Sequence, residues 1–178
     1  MHGGALFTSH PPCNFLRGFM AVEGTAGEAM EAVIFIGIQG SGKSSFYRER
    51  FFDTHVRINL DMLRTKRRQH LLLAACVEAR QPFVIDNTNV TAAARAQFIT
   101  PAKAAGFHVT GYYFRSDVKA ALLRNSLRQG AARVPDKALL GTYKRLELPG
   151  RGEGFDALFY VRAGGAGEFL VEEWADEI

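Results

Sequence analysis

The chain has 178 residues, 47% hydrophobic and 22% charged, which suits one globular domain with its own core. No apolar run approaches the length of a membrane-spanning helix, and two cysteines without metal-ligand spacing, Cys13 and Cys76, argue against a disulfide framework and for a reduced, cytoplasmic protein. The formal net charge of +4 permits a polyanionic partner without requiring one.

Residues 1–30 are rich in Gly, Ala, Pro and His and carry no persistent apolar period, so they are expected to be a flexible tail. They lack the basic-then-apolar order of a secretory signal. Translation starting at Met20 or Met30 instead of Met1 is an alternative, because the first strand follows Met30 almost at once. Residues 31–163 then alternate strands and helices. Strands are expected at 32–36, 56–60, 83–85, 108–114 and 157–161. Helices are expected at 42–51, 62–80, 91–105, 118–129 and 135–146. Leu71, Leu72, Ala75 and Ala79 supply the helical spacing in the second of these, and Gly106 and Gly130 stop the third and fourth. This order predicts an α/β fold, three layers (αβα) around a mostly parallel five-stranded sheet. Residues 164–178 gather Glu168, Glu172, Glu173, Asp176 and Glu177 and are expected to be an acidic tail. Tyr112, Tyr113, Phe114 and Trp174 read as core residues.

The most informative stretch is Gly37-Ile38-Gln39-Gly40-Ser41-Gly42-Lys43-Ser44, which fits G-x-x-x-x-G-K-[ST] at every fixed position. An apolar strand precedes it and a helix follows it, the order the chemistry needs. Glycines let successive backbone N–H groups turn toward one anion, and the helix start adds its unpaired N–H groups and positive dipole end. Gly37, Gly40, Ser41, Gly42, Lys43, Ser44 and Ser45 are therefore expected to bind ATP, with Lys43 on the phosphates and Ser44 on Mg²⁺.

In an open parallel sheet, ligands sit at the carboxyl ends of the strands. The second strand ends at Asp61, with Arg64 one helical turn on, and the third ends in Asp86-Asn87-Thr88-Asn89. Asp61 is placed to accept the proton of an attacking hydroxyl, and Asp86 to complete the metal site with Ser44. Helix capping is the competing role for both, with Thr88 or Asn89 the better cap after Asp86. Arg124 and Arg128 are spaced i, i+4 on one helix face, in a segment that ends at Gly130 before the chain restarts at Pro135, and are expected to act from a helical lid over the phosphates.

The run Val84-Ile85-Asp86-Asn87-Thr88-Asn89, with Ala93-Ala94-Arg95-Ala96-Gln97-Phe98 after it, resembles the kinase domain of polynucleotide kinase/phosphatase. The phosphate loop, Asn59-Leu60-Asp61, the Arg124–Arg128 helix, Val134-Pro135-Asp136 and Gly152-Glu153-Gly154-Phe155 follow in the same order, across residues 32–162. The resemblance implies a P-loop kinase that moves the γ-phosphate of ATP to a 5′-hydroxyl of DNA or RNA. Lys43 and Ser44 would bind phosphate and Mg²⁺, Asp61 would be the general base, and Arg64 would help hold the acceptor nucleotide. Asp86 would orient the acceptor side or the metal shell, and Arg124 and Arg128 would be lid arginines. The chain departs from the pattern twice. It has no Asp-x-Asp-x-Thr phosphatase motif, so no 3′-phosphatase activity is expected, and Leu60 stands where animal enzymes place an arginine before the base. Two alternatives stay open: a small-molecule or sugar-nucleotide kinase of the zeta-toxin kind, and an ATP-gated binding module without transfer. The expected partner is a nucleic-acid 5′ end, with no membrane contact.

Overall fold

The structure, a computed structural model, describes residues 30–130, 133–164 and 167–175. Residues 1–29, with Cys13 and the alternative starts Met1 and Met20, lie outside them.

Strand β1 (Glu31–Ile36) is the axis of the molecule. Ala32, Val33, Ile34, Phe35 and Ile36 are all fully buried, as a strand covered on both faces requires. Successive side chains alternate between faces. Ala32, Ile34 and Ile36 pack with Leu73, Cys76, Phe98 and Ile99, while Val33 and Phe35 pack with Phe46, Phe51 and Phe114. Rings in the second cluster meet edge to face, as Phe35 and Phe114 do at 5.1 Å.

The sheet has the order β2 (Val56–Ile58), β3 (Phe83–Ile85), β1, β4 (His108–Phe114), β5 (Ala157–Ala163), β6 (Phe169–Glu173). β1 to β5 are parallel and β6 runs antiparallel to β5. Helix α1 (Lys43–Arg50) covers one face, and α3 (Lys66–Glu78) and α4 (Ala92–Ala104) cover the other. Because β1 lies between β3 and β4, the loop after β1 opens between the ends of its two neighbours.

Three expectations are corrected. The sheet has six strands instead of five, because residues 169–173, expected in an acidic tail, form β6. β6 is a mostly exposed edge strand, a position that tolerates charge. Its Glu172 pairs with Arg162 at 2.9 Å, and Trp174 beyond it is buried edge-on against Tyr113. The helix expected over 62–80 is two helices, α2 (Leu60–Leu63) and α3. Arg64 at φ 70° ends α2, and the Thr65 hydroxyl accepts from Arg68 N at 3.2 Å to cap α3. The break turns the buried face of α3 to Gln69, Leu73 and Cys76 and leaves Leu71 62% exposed. The third correction concerns the cap of α4, which is Thr91, accepting from Ala94 N at 3.2 Å, and neither Thr88 nor Asn89.

A candidate phosphate-transfer site at the sheet edge

The phosphate loop joins the buried end of β1 to the first turn of α1. Two glycines in it hold left-handed backbone and sit too tightly for an unstrained side chain. Gly37 has φ 147° and a Cβ there would lie 3.0 Å from Phe114 O, while Gly42 has φ 104° and its Cβ would lie 3.0 Å from the Phe169 ring. Gly37 N donates to Thr88 O at 2.9 Å, which fastens the loop to the end of β3. Lys43 is buried inside the loop, its ammonium donating to Gly37 O at 2.9 Å, Ile38 O at 2.6 Å and Ser41 Oγ at 3.3 Å. Burial pushes the Lys43 ammonium down to about 8; the Asp86 carboxylate opposes this, Arg128 adds to it and Asp61 opposes it. Ser44 and Ser45 open α1 and are exposed at the mouth of the loop.

The strand ends bring the two aspartates to this loop. Asp86 N donates to Ile58 O at 3.0 Å, and Asn59 Nδ2 donates to Asp86 O, so β2 and β3 end together. The buried Asp86 carboxylate accepts from Ser44 Oγ at 3.0 Å. Ser44 and Asp86 thus offer two hard oxygen donors side by side, the donor type magnesium takes, and the pair fits that ion. Among the described residues no group of three or more His, Cys, Asp or Glu gathers as a metal site, so phosphate oxygens and water would complete the shell.

Asp61 sits in the first turn of α2. It is not the cap: Asn59 is, its Oδ1 accepting from Met62 N at 3.0 Å. That frees the Asp61 carboxylate, which is exposed and makes no hydrogen bond with the described residues. Arg64 is also exposed. Asp86 is not a cap either, since Thr91 serves α4.

The pair α5 (Val118–Ser126) and α6 (Asp136–Lys144) lies over the loop. Arg124 Nε donates to Gly40 O at 2.6 Å. Ala121 and Leu139 pack on Ile38, and Gln39 Nε2 donates to Thr142 Oγ1 at 3.2 Å. Buried Asn125 ties α5 to the start of α6: its Nδ2 donates to Val134 O at 2.6 Å and to Asp136 Oδ1 at 3.1 Å, and its Oδ1 accepts from Val134 N at 3.0 Å. The shared helix face expected of Arg124 and Arg128 is corrected: Leu127 caps α5, so exposed Arg128 lies beyond the helix, and its charge still acts on Lys43.

A family model described as an AAA domain matches residues 33–149, which span the phosphate loop, both aspartates and the α5–α6 pair. The chain belongs to this AAA-domain family. Members of the AAA-domain family share the P-loop architecture seen here. A similar curated protein is the bifunctional polynucleotide phosphatase/kinase of Schizosaccharomyces pombe, 26% identical over 132 residues, covering 72% of this chain. The chain spans 32% of that relative's length. Among solved structures, Chaetomium thermophilum Kti12 in complex with ADP-AlF3 superimposes with a TM-score of 0.58 at 16% identity, over 76% of this chain and 92% of that one. A gluconokinase from Sinorhizobium meliloti 1021 gives 0.51 at 22% identity, over 73% and 82%. These likenesses establish a P-loop kinase-like fold.

Sequence reasoning missed two sets of site residues. Arg57, on β2, donates to Asp86 Oδ2 through Nε at 2.9 Å and through Nη2 at 2.5 Å. Fully buried Arg95 holds the loop after β3, donating to Asn89 O and Glu147 O at 3.1 Å and to both Glu153 oxygens at 2.6 and 2.7 Å. Their partners lie 29 and up to 58 positions away, and no spacing rule connects residues so far apart.

Proposed function

We propose that this chain is an ATP-dependent kinase that transfers the γ-phosphate to a 5′-hydroxyl of a polynucleotide. One observation carries the reading: an exposed carboxylate with no hydrogen-bond partner among the described residues, Asp61, stands in the first turn of α2 just past β2, where its charge acts on Lys43. In a phosphotransferase that position belongs to the general base. The similarity to a polynucleotide phosphatase/kinase across most of this chain supports the choice of acceptor.

Loop N–H groups and the α1 terminus would receive the β- and γ-phosphates, with Lys43 turning from Gly37 O and Ile38 O onto them. Ser44 and Asp86 would hold magnesium, which would supply neutralisation of the charge developing on the phosphates. Asp61 accepts the proton of the 5′-hydroxyl as its oxygen bonds to the γ-phosphorus and the bond to ADP breaks. Arg124 and Arg128 add charge and exclude water from above, and Arg64 faces the acceptor.

A second reading, a kinase for a small alcohol, rests on Leu60, which puts an apolar side chain beside Asp61 where a phosphate-binding charge would serve a polynucleotide. Transfer of labelled γ-phosphate from ATP to a 5′-hydroxyl oligonucleotide, followed over a salt series, separates the two. The proposal expects labelled oligonucleotide and an apparent affinity that falls steeply with salt. ATP binding with no labelled oligonucleotide, and transfer to small alcohols indifferent to salt, would replace it with the second reading.

A further inference from the structure

Arg57 lies in the middle of the edge strand β2, with its side chain 27% exposed. Its guanidinium is held at three points. Nε and Nη2 both donate to Asp86 Oδ2, Nη2 also donates to Ser44 Oγ at 3.0 Å, and the group lies 5.4 Å from the centre of the Tyr47 ring. Arg57 therefore engages both oxygen donors that fit magnesium: the Asp86 oxygen that Ser44 donates to and the Ser44 hydroxyl itself.

A guanidinium stays charged in proteins and has no acceptor to share with a cation. Asp86 is almost fully buried, and an unopposed carboxylate there would be costly, so some positive charge has to sit beside it. A divalent ion bonded to the Ser44 oxygen and the Asp86 carboxylate would stand against the guanidinium at a distance where two cations repel strongly. Nucleotide changes that balance. Phosphate oxygens arriving on the loop offer Arg57 a second set of acceptors, and the Tyr47 ring gives its planar group a face to slide along.

We propose that Arg57 is a built-in counter-cation for the Ser44–Asp86 pair, which keeps divalent metal off the nucleotide-free protein and yields its place when metal arrives with the nucleotide. The inference rests on the assignment of Ser44 and Asp86 as the metal-holding pair. It makes Arg57 a positioning residue for metal entry, and it predicts that metal and nucleotide bind with strong positive coupling.

The test is Mn²⁺ binding, read by electron paramagnetic resonance, to the wild type, Arg57→Gln, Arg57→Lys, Asp86→Asn and Arg57→Gln/Asp86→Asn proteins, with and without a non-hydrolysable ATP analogue. Without nucleotide, Arg57→Gln is expected to bind Mn²⁺ at least about tenfold more tightly than wild type, since a buried carboxylate has lost its cation. Arg57→Lys, which keeps the charge but cannot span both oxygens, falls between them and serves if the glutamine variant does not fold. The double variant loses the gain. Equal Mn²⁺ affinity in wild type and both Arg57 variants, with Asp86→Asn still weakening Mn²⁺ in the presence of the analogue, would overturn the role of Arg57 and leave the metal pair standing. Asp86→Asn without effect in either condition would overturn the metal pair itself, and this inference with it.

Discussion

On the phosphate side of the site, Lys43 is buried with three hydrogen bonds, Asp86 is buried against Ser44 and Arg57, and Arg95 anchors the loop after β3 from full burial. On the proposed acceptor side, Asp61 and Arg64 are exposed, and the helix that carries Asp61 and ends at Arg64 is four residues long. The first side is organised before any ligand arrives, so its binding energy is not spent on ordering the chain. Under the proposed function, the second side would depend on a substrate to complete it. Substitutions should follow that division: on the phosphate side they should cost stability or nucleotide affinity, and on the acceptor side they should cost transfer.

The largest effect belongs to the organised side. Arg95→Ala leaves Glu153 facing an emptied buried site and frees the loop that carries Asn89, and should cost about 3–5 kcal/mol of stability in denaturant unfolding. A loss below 1 kcal/mol would mean that this side is less built than its geometry indicates.

Lys43→Met should come next. It removes a charge-assisted contact to phosphate and should weaken ATP binding by about 1.5–3 kcal/mol by calorimetry. The same variant should not destabilise the nucleotide-free protein, because it takes a buried charge out of the loop. The pH dependence is a finer test of the same residue. The Lys43 ammonium is held down to about 8 in the free protein, and phosphate favours its protonated form, so nucleotide binding should take up a proton above that pH. ATP affinity in the wild type should therefore be flat below about pH 8 and fall as pH rises beyond it, by up to about tenfold per pH unit. In stability the sign runs the other way. Burial lowers the folded-state value below the unfolded one, so the cost of the buried ammonium is fully present below about 8 and is relieved as pH rises through and above it. Lys43→Met should flatten the affinity profile.

The contrast between the two sides also accounts for what was legible in the sequence. The phosphate loop is local: fixed glycines force one backbone path, and an eight-residue pattern reports it. The alternation of strands and helices, and the mostly parallel sheet it implies, followed from apolar runs that only a sheet covered on both faces can use. Arg57 was not legible, because a charged residue at the centre of an alternating edge strand reads as solvent-facing until β3 is placed beside it. The break at Arg64 was hidden for a different reason. A non-glycine residue took the left-handed conformation, and neither Gly nor Pro marks the point. β6 was masked by its own glutamates, which an exposed edge accepts and which composition reads as a tail.

The measurement that tests the account most directly is Asp61→Asn, assayed separately for ATP binding and for transfer of γ-phosphate to a 5′-hydroxyl oligonucleotide that the wild type phosphorylates. Loss of the general base should lower transfer by about 10²–10⁴-fold and leave the dissociation constant for ATP unchanged. Transfer at the wild-type rate, or ATP binding lost together with transfer, would contradict the assignment of Asp61 as a base that acts on the acceptor from outside the organised phosphate site.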